Sequence, residues 1–178
     1  MAGSLIKIDE EIVTSSTASV TLSGIDSTYD VYMVKINNVT HDHTTAASAN
    51  MRFTKDVTGT PTPVTSANYQ RATKELRVDS AFSNAFVSVN ATAMFLEDVG
   101  DLANEQYNSI LYLFNFNNSS EYSFCTYEGQ AINADANLRG RQGGFSLNIA
   151  EEHNGIQFFF AGGHNIETGT FTLFALKS

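Results

Sequence analysis

The chain has no tryptophan, one cysteine and two prolines. A single cysteine excludes an internal disulfide. Cys125 falls inside an aromatic strand pattern, where the default reading is a small buried hydrophobe. A nucleophilic thiolate there would need a histidine partner in space, and nothing nearby in sequence supplies one. Positive charge is also scarce: ten Lys and Arg stand against nineteen Asp and Glu, for a net charge of −9. Such a surface repels phosphate backbones, and no basic stripe offsets it. Neither nucleic acid nor an anionic membrane surface is therefore an expected partner. No run approaches the roughly 18 apolar residues of a membrane-spanning helix, so membrane insertion is not expected. Met1 to Glu11 lacks the apolar core of a signal peptide, which predicts folding in a cytoplasm. On that expectation the sequons at Asn38, Asn90 and Asn118 carry no weight. Amphipathic helical periodicity is missing throughout.

What the chain does have is 178 residues, thirteen Phe and seven Tyr. That length suits one domain, expected over 1–178 with 1–15 as an N-terminal arm, in which 5–13 could be either an edge strand or a segment reaching to a neighbour. The strongest pattern runs from Tyr107 to Tyr127. Ile110, Tyr112, Phe114 and Phe116 alternate with Leu111 and Leu113, so a strand here is apolar on both faces. Asn117 to Ser120 is turn chemistry. Tyr122 and Phe124 then return on one face, with Ser123 and Cys125 on the other, which reads as a hairpin. Residues 29–36 and 169–177 are likewise apolar on both faces. Shorter strand patterns occupy 18–22, 50–55, 72–78, 85–89, 93–96, 145–149 and 156–161. The stretch 60–63 reads as a stiff proline loop, 97–105 as an acidic connection with one helical turn, and 129–144 as a long exposed loop. Roughly nine to eleven short antiparallel strands separated by turns predict an all-β, jelly-roll-like β-sandwich.

Sites are harder to find. In His41-Asp42-His43 an extended backbone would point both imidazoles the same way, as two ligands of one metal, but further ligands must come from elsewhere. A solvated loop is the plainer reading, and no cofactor is expected. Gly140 to Gly144 is glycine-rich, yet it lacks the following helix of a phosphate-binding loop. Arg139 and Arg141 beside it are expected to meet acidic loops of a neighbouring subunit. Tyr107, Tyr112, Tyr122 and Tyr127 could form a sugar-stacking platform, although strand spacing favours core or interface. Three strands with two apolar faces exceed what one two-layer sandwich covers. That surplus predicts a homo-oligomer, a trimer first, with Leu5, Ile6, Ile8, Tyr112, Phe114 and Phe116 among the contacts.

Four segments together carry a resemblance: 24–32 (Gly24-Ile25-Asp26-Ser27-Thr28-Tyr29-Asp30-Val31-Tyr32), 110–115 with Glu121-Tyr122, 153–159 (His153-Asn154-Gly155-Ile156-Gln157-Phe158-Phe159) and 169–173. In order and over most of the chain, they resemble small β-rich virion structural proteins of tailed bacteriophages, notably marine phages of cyanobacteria. The resemblance implies a non-enzymatic virion component assembled in the host cytoplasm, without catalytic residues. Within that class the expectation is a tail-fibre or receptor-contact module bound to other virion proteins and to a host-surface glycan. The alternatives are a capsid decoration protein, clasping the head with its N-terminal arm, and a carbohydrate-binding module.

Overall fold

The computed structural model describes residues 4–84 and 87–177. They form two antiparallel sheets stacked as a β-sandwich, the expected fold class. Thirteen strands are present among them: β1 (Ser4–Val13), β2 (Val20–Ser23), β3 (Val31–His41), β4 (Ala47–Val57), β5 (Thr60–Pro63), β6 (Tyr69–Arg77), β7 (Val87–Ala91), β8 (Met94–Val99), β9 (Tyr107–Phe114), β10 (Tyr122–Ile132), β11 (Leu138–Ala150), β12 (Gly155–Phe160) and β13 (Ile166–Lys177). The larger sheet has eight strands in the order β1-β13-β3-β9-β10-β11-β6-β7. The smaller has five: β2-β12-β4-β5, with β8 also paired to β4.

Alternation decides which faces meet. On β9, Leu111 and Leu113 are sealed inside, while Ile110 and Tyr112 point out. On β3, Tyr32, Val34 and Ile36 point in; on β13, Phe171, Leu173 and Ala175 do. The small sheet answers with Leu22, Met51, Phe53, Leu96, Ile156 and Phe158 in the same core. Burying each leucine-sized side chain contributes about 1.5–3 kcal/mol. Polar links also cross the gap. Tyr69 of the large sheet accepts from the Phe53 backbone N–H at 2.9 Å and donates to the Val64 carbonyl at 2.9 Å. The Tyr127 hydroxyl donates to the Leu96 carbonyl.

Several elements depart from the sequence expectation. Residues 129–144 are not a loop: β10 runs on to Ile132 and β11 begins at Leu138, leaving only a short turn between them. The glycines mislead because their backbones still pair along the ladder, Gly129 with Arg141 and Gly140 with Gln130. The proline stretch is also a strand, β5, at a sheet margin that spares prolines the ladder donors they lack. Thr58 and Gly59, both at positive φ, turn β4 into it. β3 continues past Asn37 and Asn38 through a register irregularity, with Asn38 at φ 54°, so His41 is its last residue. The acidic stretch holds no helix: Glu97 and Asp98 belong to β8. Of the two readings for the N-terminal stretch, Ser4–Val13 is the edge strand, paired along its length with β13. Ala85 and Phe86 of the predicted 85–89 strand, and Met1 to Gly3 of the predicted arm, lie outside the described residues.

Candidate functional site

The outer face of the eight-stranded sheet carries a row of exposed apolar side chains. Phe124 pairs with Phe114, and Phe114 with Val31. The next row runs Phe174, Met33, Tyr112, Thr126 across β13, β3, β9 and β10. Tyr112, Tyr122 and Phe124 are 38%, 45% and 45% exposed, and Leu5 on the edge strand is 54% exposed. A charged row bounds the patch: Glu10, Thr172, Lys35, Ile110, Glu128 and Gln142 lie in register across six strands. Within it Thr172 donates to Glu10 at 3.2 Å, one of the bonds, after that from Lys7, that hold the Glu10 carboxyl below its usual range.

The contact residues expected from sequence divide between the two faces. Leu5, Tyr112 and the half-buried Phe114 are on the outer face. Ile6 and Ile8 pack toward the core. Phe116 is buried against Phe53, ring centroids 4.4 Å apart, because Asn115 at φ 60° reverses the alternation. Of the four tyrosines, Tyr107 and Tyr127 are buried, so a four-tyrosine sugar platform does not exist; only Tyr112 and Tyr122 face out.

Arg139 and Arg141 do not reach outward either. Both point between the sheets from β11. Arg141, 1% exposed, grips Glu97 of β8 with two hydrogen bonds of 3.2 and 3.1 Å and lies 4.7 Å from the Phe95 ring centre. Arg139 bonds Asp79 at 3.0 Å, and Glu75 lies between the two guanidinium groups. Burial pushes the Glu97 carboxyl up, and the Arg141 bonds offset part of that. A buried pair of this kind holds the sheets in register rather than offering a charge to a partner.

The His41-Asp42-His43 motif is split. His41 is buried: its Nε2 lies 3.1 Å from the Val99 carbonyl and its Nδ1 accepts from the His43 N–H at 3.2 Å. His43 stacks on His164 with ring centres 3.6 Å apart. Asp42 binds Asn165 through both carboxylate oxygens, and the Asn165 N–H keeps its carboxyl below the usual range. The two imidazoles face different neighbours. Among the described residues no group of three His, Cys, Asp or Glu side chains could hold a metal ion.

A trio not visible in the sequence has the outline of a hydrolase site. Ser123 Oγ lies 2.7 Å from His153 Nδ1, and His153 Nε2 lies 3.4 Å from Glu151, which also takes a 2.9 Å bond from Lys55. Acyl transfer needs the serine to meet substrate. Here Ser123 and His153 are both 0% exposed, beneath Phe53 and Phe116. His153 also donates its backbone N–H to the Phe116 carbonyl. The trio pins the turn before β12 to the end of β9. Burial lowers the His153 pKa, against an opposing pull from Glu151, so the ring is held neutral. Cys125 is buried too, and burial pushes its thiol up, away from thiolate reactivity.

No protein family, no curated protein and no solved structure matches this chain.

Proposed function

We propose that the chain is a non-enzymatic virion structural protein of a tailed bacteriophage, displayed on the particle surface as a tail-fibre or receptor-contact module. It assembles with copies of itself, a trimer first. The observation that carries this reading is the open aromatic patch of Tyr112, Tyr122 and Phe124 beside Phe114 on a fully formed sheet. Faces like this mark interaction surfaces, because monomers rarely leave large contiguous apolar patches in water. Ser123 and His153 are sealed in the core, so this pair offers substrate no access for acyl transfer. The virion assignment draws its support from the strand motifs at 24–32, 110–115 with Glu121-Tyr122, 153–159 and 169–173. Pairing of Ser4–Val13 with β13 leaves no free clasp in that segment, which favours receptor contact over head decoration.

Immunogold electron microscopy of purified phage particles, with antibody to this chain, tests the reading. Label on tails or fibres is expected. Label over the head would make it a decoration protein, and particles without label would overturn the virion assignment.

A further inference from the structure

Beyond the charged row, on the same outer face, the large sheet forms a cleft of about 640 Å³. That is within the roughly 300–1,000 Å³ of small-ligand sites. Its floor is a cross-strand row: Asn108 of β9 beside Gln130 of β10, then Gly140 of β11, then Leu76 of β6. Gly140 makes the depression, since a side chain at this position would stand in the cleft; its Cβ would first touch Leu76 at 3.4 Å. The far wall is apolar: Leu138, Val78 and Phe82 are exposed there. The segment bearing Phe82 is tied down, because Ser83 and Glu75 exchange backbone bonds of 3.0 and 3.2 Å and Ser83 Oγ donates to Glu75 at 3.1 Å.

We propose that this cleft binds a short uncharged oligosaccharide, an inference that takes the receptor-contact reading as given and names the receptor's chemistry. Carboxamides offer a donor and an acceptor together, which matches neighbouring sugar hydroxyls. The Asn108 oxygen already accepts from the Asn38 N–H at 2.9 Å, fixing its amide and turning its NH₂ to other partners. A purely apolar ligand would strip water from Gln130 and Asn108 and leave them unpaired, which is costly. The charged lining residues are offset: Lys35 of β3 and Glu128 of β10 flank Ile110 on the strand between them, Arg77 is bonded to Asp79 at 3.1 and 3.2 Å, and Arg141 is bonded to Glu97. An anionic ligand would also meet a chain of net charge −9. The C–H face of a pyranose ring suits the Phe82 and Leu138 wall, while its hydroxyl edge suits the amide floor.

Titrating the ¹⁵N-labelled full chain with cellotetraose, maltotetraose, mannotetraose and chitotetraose tests this. At least one tetrasaccharide should give saturable amide shifts confined to the Asn108, Gln130 and Gly140 region. Gly140→Val should weaken that binding on the order of tenfold or more by filling the floor, with an unchanged spectrum elsewhere. Gln130→Ala, a surface change that leaves packing alone, should weaken it too. No saturable shift with any of the four sugars overturns the proposal, as does binding indifferent to Gly140→Val. So does preferential occupation of the cleft by laurate, which would make it a lipid site. Sugar binding without particle label would refute the virion reading and leave the cleft standing; label without sugar binding would do the reverse.

Discussion

Glu97 and Arg141 show how much one buried residue can carry. Each is 1% exposed, and each is the other's main partner across the sandwich. Removing one leaves an uncompensated charge in the core, so Arg141→Met should cost about 3–5 kcal/mol. Replacing both, as in Arg141→Met with Glu97→Leu, should recover most of that loss, since well-packed apolar pairs often match buried ion pairs. Urea unfolding of the two single variants and the double variant checks this through a mutant cycle. His153 makes a second residue-scale prediction. Its folded pKa lies below the ordinary 6.5, so the unfolded chain takes up the proton first as pH falls. Stability from neutral His153 is therefore present above about pH 6.5 and lost below it. Thermal unfolding from pH 8 to 5 should show a falling midpoint, and His153→Gln should flatten that fall while lowering the midpoint at pH 8. None of these partnerships was legible in the sequence. Glu97 and Arg141 are 44 positions apart and Ser123 and His153 are 30 apart, and nothing local announces a pairing made by sheet stacking.

At the scale of elements the sequence was more readable where alternation is strict. The hairpin of β9 and β10, with Leu111 and Leu113 inward and Tyr122 and Phe124 outward, follows from period two alone. It failed where special residues break the period. Asn115 at φ 60° turns Phe116 from the outer face into the core, against the simple alternation. Asn tolerates that conformation and β-branched residues do not. Asn115→Val should cost about 1–2 kcal/mol, while Asn115→Gly should stay near neutral, measured by chemical unfolding. Glycines misled in the other direction: Gly140, Gly143 and Gly144 read as loop chemistry but sit in β11. Gly143 at φ 156° would place a Cβ 2.2 Å from the Ala72 carbonyl oxygen, so the close approach of β6 needs glycine there. The edge strand β1 carries Lys7, Asp9, Glu10 and Glu11, charges that discourage strand addition at an otherwise long free edge.

The whole molecule is a sandwich with one finished interior and one unfinished surface. Strands apolar on both faces exceed what one two-layer sandwich covers. Among the described residues the inner faces are sealed while Tyr112, Tyr122 and Phe124 stand open on the outer face, so the outer patch carries the proposed function. Sedimentation or light scattering of the purified full chain measures that claim directly. Size-exclusion chromatography with multi-angle light scattering should give a mass that is a multiple of 19.4 kDa, three-fold first. Tyr112→Glu with Phe124→Glu should return it to the monomer mass with an unchanged far-UV spectrum. A wild-type chain that stays monomeric at all accessible concentrations, or an oligomer indifferent to the two glutamates, would contradict assembly through this face.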